Sequence, residues 1–325
     1  MKRKTVNYIY SLLLLFGILL SANIASADTI NLTVNNNGDR TTATIQTYLD
    51  QAKENPHNYY KIKVPKGTYE IERCMRIYSN TYLDITGSTF KITGHPSDGY
   101  MLQVGDPKRE TAKVGDWNNT RSKPYSWGKY SRGKNITIVG GTFDSGTTVN
   151  PNDGVGDMFT FSHVQNITLK NITFKSRPKK TAGFHMIEFA AAKNVKILNC
   201  TFDGTQKCRS AVQLESAIKG VANMNSQLPS DGTKSSNITV QGCKFKNMEY
   251  AFGTNHGTPK ETFNNITVKN NTFEKITKYA VCVYNYKNCK IQGNTLKKSR
   301  SSSFDSMVLK LGTKNSLKVS KNKAK

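Results

Sequence analysis

Acidic residues are scarce in this chain: 22 Asp and Glu stand against 47 Lys and Arg over 325 residues, a formal net charge of +25. That imbalance attracts polyanions; its bland alternative is lysine that keeps exposed strand edges soluble. For a chain read as exported, acidic polysaccharide or an anionic cell surface is the expected partner rather than nucleic acid. There is no Walker loop, no metal-binding His-x-x-x-His pair and no Gly-x-Ser-x-Gly elbow. The familiar forms of nucleotide hydrolysis, zinc hydrolysis and serine-based acyl transfer lack their signatures. Six cysteines show no metal-type spacing, and Cys200 and Cys243 each stand two residues before a Phe, where a small core residue suffices. Thiols, free or partly paired, are the expectation.

Long apolar runs are missing after the first twenty residues. At the start, Lys2, Arg3 and Lys4 precede an apolar stretch from about Ile9 to Leu20, and Ala25-Ser26-Ala27 follows as a small-x-small cleavage signal. We expect a signal peptide over 1–27 and a secreted, extracellular chain from Asp28 with no membrane anchor. Removing three lysine and arginine charges from +25 leaves +22. The remainder divides into an N-terminal segment over 28–60, repeats over 61–312 and a basic tail over 313–325.

One phrase recurs: KNITIVGGTF (134–143), QNITLKNITF (165–174), KNVKILNCTF (193–202), SNITVQGCKF (236–245), NNITVKNNTF (264–273) and KNCKIQGNTL (287–296). Each copy places Asn eight residues before a closing Phe or Leu. Apolar and polar residues alternate inside it, the period of a strand with one buried face. The closing residues step by 23 to 31 positions, with one step of 43 that holds an insertion. Short strands at that period predict an all-β parallel solenoid whose stacked coils share one core. The recurrent Asn fits turns in which stacked side-chain amides form a ladder. A capped solenoid of this kind is expected to be a monomer.

The segments TIQTYLDQA (44–52) and VPKGTY (64–69) resemble the opening of pectin-lyase-like proteins. The resemblance covers roughly 36–300. It implies a right-handed parallel β-helix capped by a short N-terminal amphipathic helix, in a superfamily that includes polysaccharide lyases, polygalacturonases, epimerases, tailspikes and adhesins. Fold alone does not choose among these.

Each phrase is preceded by another strand, and aligning these on the repeat Asn sorts their side chains. Phe159, Ile187, Val212, Phe252 and Val281 stack on the core side. Thr160, Glu188, Gln213, Gly253 and Cys282 form one outward column, and Ser162, Ala190, Glu215, Asn255 and Tyr284 the next. Coils lie about 4.8 Å apart and alternate residues about 6.7 Å apart, so the Glu188 and Glu215 backbones are expected roughly 8 Å apart on one exposed face. Met186, Ala211, Ala251 and Ala280 form a small-residue column beside them, which leaves room for a ligand. Two large insertions flank this face. The one over 106–133 carries Trp117, Trp127 and Tyr125, whose rings offer flat faces to sugars, among several cations. The other, over 216–235, leaves directly after Glu215.

The candidate catalytic residues are therefore Glu188, Glu215, His256 and His185, although a satisfied, half-buried histidine is the plainer reading of His185. Gln213, Asn255, Trp117, Trp127 and Tyr125 are candidates for substrate binding. Glu188, Gln213 and Glu215 form an oxygen set suited to Ca²⁺, and positions 213 and 215 resemble the calcium-binding strand of some β-helix lyases. His163, just before a turn, reads as a surface residue. The favoured activity is β-elimination on a uronate polymer, which needs a neutraliser, a base and an acid. The Lys and Arg usual in such lyases are missing from the outward columns. A polygalacturonase-like hydrolase, an epimerase and a non-catalytic glycan-binding or adhesion module stay open.

Overall fold

The computed structural model describes residues 27–92, 100–105, 128–146, 157–177, 182–205, 208–218, 230–254 and 261–325, without the side chains of 182–184 and 209. Strands paired only in parallel wind through successive coils. Each coil offers three faces. The first sheet runs through Met75–Ile77, Leu102–Val104, 159–162, 185–190, Cys208–Glu215, 250–253 and 279–284 to Val308–Leu311. The second runs through Thr29–Thr33, Tyr59–Lys63, Thr81–Asp84, Gly133–Val139, 164–170, 192–198, Ser236–Gln241, Phe263–Lys269, Cys289–Gln292 and Leu317–Ser320. The third, of short strands, holds the closing residue of every phrase.

Those closing residues make the core. Tyr69, Phe90, Phe143, Phe174, Phe202, Phe245 and Phe273 stack with centroids 4.8–6.1 Å apart. All are fully buried. One ring per coil supplies a large apolar area in a single column, which no coil could bury alone. All six cysteines are buried thiols.

The repeat Asn residues take the turn between the first and second sheets. Asn80, Asn135, Asn166, Asn194, Asn237 and Asn265 all have φ between +55° and +61°. Asn tolerates this left-handed conformation better than other side-chain-bearing residues. Each amide also donates to the Oδ1 of the one before, at 2.8–3.0 Å.

On the outside of the third sheet, Glu70, Lys91, Asp144, Lys175, Asp203, Lys246, Glu274 and Lys297 pair in that order from coil to coil. The sign of the charge alternates at every step. Opposite charges facing across a ladder stabilise it and like charges do the reverse. Lys246 Nζ lies 3.0 Å from Asp203 Oδ2.

Helix α1, Ala43–Glu54, buries Ile45, Leu49 and Ala52. Gln46 donates its amide to the Arg76 carbonyl (3.1 Å) and accepts from the Arg76 N–H (2.7 Å). The helix thus satisfies the open strand edge that a preceding coil would otherwise cover. At both ends the coils reach beyond the expected limits. Thr29–Thr33 pairs with Tyr59–Lys63, inside the expected N-terminal segment. Leu317–Ser320 and Lys323–Ala324 pair with the coil beneath them, so the region read as a basic tail continues the solenoid.

Candidate functional site

The first sheet stacks Arg76, Gln103, Thr160, Glu188, Gln213, Gly253, Cys282 and Leu309 in register. Ala190 pairs with Glu215. The alignment thus placed Glu188 beside Gln213 and diagonal to Glu215, as found. Gly253 has φ +121°, and a Cβ there would lie 1.9 Å from the Cys282 carbonyl oxygen. The position above Gln213 must therefore stay bare.

The expectation of an exposed face is wrong. Glu188 and Glu215 are each 1% exposed and Gln213 is 0% exposed. The column lies outside the core but is covered. Among the described residues, two chain segments meet at the adjoining corner. Tyr130 donates its hydroxyl to the Lys234 carbonyl at 2.7 Å, and the Lys129 N–H donates to Asp231 Oδ2 at 2.7 Å. Ser235 Oγ donates to the Glu215 carbonyl at 2.8 Å. His163, expected on the surface, is fully buried, with Nε2 3.2 Å from Asp231 Oδ1. Its left-handed backbone, φ +54°, turns the ring beneath this junction. Burial lowers its imidazole below the ordinary range, against the pull of Asp231. Burial works against the Asp231 carboxylate too, yet the Lys129 and Thr233 donors hold it at about 2.

Glu188 is the centre of a row of carboxyls. No N–H or hydroxyl donor of the described residues reaches either of its oxygens. The titratable groups that act on it are the carboxyls of Asp157 and Glu215. Burial, and then the charge of Glu215, pushes Glu188 up to about 8. Glu215 is raised to about 8 as well, by burial first. Asp157 lies well above the carboxylate range for the same cause, with Glu188 adding to it. The row therefore keeps protons at pH values where free carboxyls have lost them. Three buried carboxyls cannot all ionise side by side.

His185 joins the edge of this row. Its N–H donates to Asp157 Oδ1 at 2.7 Å, and Nδ1 lies 2.7 Å from Ser210 Oγ. It is 2% exposed and hydrogen-bonded, so it is a satisfied histidine, more deeply buried than expected. Asn255, His256, Trp117, Trp127 and Tyr125 lie outside the described residues. Met186, Ala211, Ala251 and Ala280, expected to leave room for a ligand, are packed into the apolar core.

Sequence reasoning found no cation on these columns, and the structure supplies two. Arg76 lies three rungs along the column from Glu188. Its guanidinium donates to Gln103 Oε1. The guanidinium of Arg132 donates to Ser162 Oγ at 2.5 Å, one rung from Ala190. Tyr100 is buried near the row, its phenol raised well above its ordinary range by burial and then by Asp157 and Glu188. Arg76 and Tyr100 belong to coils that precede the regular phrases, and Arg76 stands four residues before Asn80 where Glu188 stands six before Asn194. Arg132 sits at the end of an insertion.

A family model described as a right-handed β-helix region matches residues 118–306. Plasmin and fibronectin-binding protein A of Streptococcus pneumoniae is 26% identical over 258 residues, or 72% of this chain and 34% of that protein. The chain thus spans about a third of that curated relative's length. A crystal structure of PfbA, a surface adhesin of Streptococcus pneumoniae, superposes with a TM-score of 0.64 at 23% identity, over 87% of this chain and 66% of that one. A second PfbA structure gives 0.59 at 18% identity, over 89% and 88%. Both show the same fold.

Proposed function

The chain belongs to the right-handed β-helix family, and from that premise we propose that it acts outside the cell on an acidic polysaccharide by β-elimination. The observation that carries this reading is the buried row Asp157, Glu188, Glu215, whose carboxyls are raised by burial and by one another and so keep protons near neutral pH. Glycoside hydrolysis places its two carboxyls about 5–5.5 Å apart for retention or about 6.5–9.5 Å apart for inversion, flanking the bond. Elimination instead moves two protons at neighbouring atoms, off C5 and onto the leaving oxygen, and an adjacent acid and base on one face suits it. Glu215 is the base, since a carboxyl near 8 is poised for proton abstraction around neutral pH. Glu188 carries the proton that the leaving oxygen needs. Arg132, which donates to Ser162 one rung from Ala190, is the cation we assign to the uronate carboxylate.

Glu188, Gln213 and Glu215 would be the residues to hold a Ca²⁺ ion, a role that rests on the oxygen chemistry of the set. When bound, Ca²⁺ would supply charge neutralisation for the uronate. It would have to displace the protons these carboxyls keep, so its affinity should rise with pH.

An adhesion module is the second reading. It is favoured by the near-complete burial of Glu188 and Glu215 and by a relative named for binding plasmin and fibronectin. One assay separates the readings. The chain from Asp28 is incubated with pectate, alginate and glycosaminoglycans while ultraviolet absorbance of unsaturated uronate and reducing ends are both followed. Elimination predicts a rise in both that Glu215→Gln abolishes. Reducing ends without the absorbance would mean hydrolysis. Neither signal on any polymer would leave the adhesion module.

A further inference from the structure

The outer face of the second sheet carries lysines that no ladder of acids balances. Its central column places Lys61, Lys196, Lys290 and Lys318 on a continuous run of paired residues. The column before it adds Lys134, Lys193 and Lys287. The column after it adds Lys63, Lys170 and Lys269. All ten are exposed or half-exposed, and one acid, Asp84, stands among them. The third sheet, by contrast, matches four lysines with four acids over the same coils.

Lysine that serves only solubility belongs on sheet edges. These lysines lie mid-sheet, on rungs paired on both sides, apart from Lys134, Lys287 and Lys318. From Lys61 to Lys318 is eight rungs, about 38 Å at ~4.8 Å per rung. A small anion needs no such length, but an extended polymer with regularly spaced anionic groups does. Between the lysines the central column holds Thr137, Thr168, Thr239 and Thr267, hydroxyls suited to sugar hydroxyls. Tyr82 is the one aromatic ring on these columns, so they offer no run of stacking platforms for single-stranded nucleic acid. A broad flat sheet also does not enter a duplex groove as a helix or two-stranded ribbon does.

We propose that this face is a docking surface for an acidic polysaccharide, separate from the carboxyl row on the first sheet. Electrostatic complementarity of this kind sets encounter rate and register along the polymer. The test is binding of heparin and of polygalacturonate to the chain from Asp28, with neutral dextran as blank and duplex DNA as competitor. Lys61, Lys196, Lys290 and Lys318 are changed together to Ser. A control variant loses the same charge elsewhere, at the exposed Lys66, Lys298, Lys310 and Lys325. We expect the face variant to bind an acidic polysaccharide at least about tenfold more weakly, about 1.4 kcal/mol, and the control to change by less than about twofold. Heparin against polygalacturonate tells whether sulfate or carboxylate is preferred. Equal losses in both variants, or no loss in either, would overturn the proposal, as would tighter binding of DNA than of either polysaccharide. Both quadruple variants keep the carboxyl row intact, so the comparison between them does not depend on whether that row is catalytic. Far-UV circular dichroism of both quadruple variants checks that each is folded.

Discussion

Replacing Glu188 by Gln should make the protein more stable at pH 8 and less sensitive to pH. In the unfolded chain this carboxyl titrates near 4.5, and in the folded protein at about 8. Between those values the native state holds a proton that the unfolded state has released, so stability falls as pH rises through the window. Each unit of displacement is worth about 1.4 kcal/mol. One such carboxyl therefore removes about 4–5 kcal/mol between pH 4.5 and 8, and Glu215, raised to about 8 likewise, adds to the slope. Glutamine keeps the shape without the charge, and it removes the Coulombic repulsion between Glu188 and Glu215. At about 2–4 °C per kcal/mol for a chain of this size, wild type should lose of the order of 10 °C in Tm from pH 5 to 8. Glu188→Gln should lose about half as much. Thermal unfolding across that range, in a chelator, checks it. A wild-type Tm that stays level or rises from pH 5 to 8, or a variant with the wild-type slope, would refute the buried protonated row.

Three further outcomes follow from geometry already given. Asn194→Ala should cost about 3–4 kcal/mol, combining left-handed strain of about 1–2 kcal/mol with two lost amide contacts of about 1 kcal/mol each. Asn194→Gly should restore the strain component, as urea unfolding would show. Phe202→Ala, in the middle of the ring stack, should cost about 3–5 kcal/mol in the same measurement. Asp231→Asn should accelerate hydrogen exchange at the Lys129 and Thr233 amides. Because Asp231 is lowered from 3.8 to about 2, its stabilisation is present above pH 3.8 and disappears as pH falls through 2, so wild type should approach the variant in acid.

The solenoid was legible because each coil repeats its instructions. The closing Phe and the repeat Asn occur often enough for their stacking to be read directly, and parity then placed Glu188 outside the core. What cannot repeat was not legible. The burial of Glu188 is written in no single copy of the phrase, and His163 meets a partner 68 residues away. Arg76 lies in an early coil, four residues before Asn80 rather than six, and Arg132 ends an insertion. The charge ladder is different. It occupies the residue just after each closing aromatic, in plain view, but its meaning lies in the order of signs between coils rather than in any one copy.

That order of signs restricts how the chain can change length. A repeat protein ordinarily grows or shrinks by whole repeats, and the stacked rings and amides would accept any number of coils. The ladder from Glu70 to Lys297 would not. Deleting the single coil that carries Asp203 would set Lys175 against Lys246, and duplicating it would set two aspartates together. Removing or adding two adjacent coils restores the alternation. Relatives of this chain should therefore differ from it by an even number of coils within this span, and an engineered solenoid built from it should be lengthened in pairs.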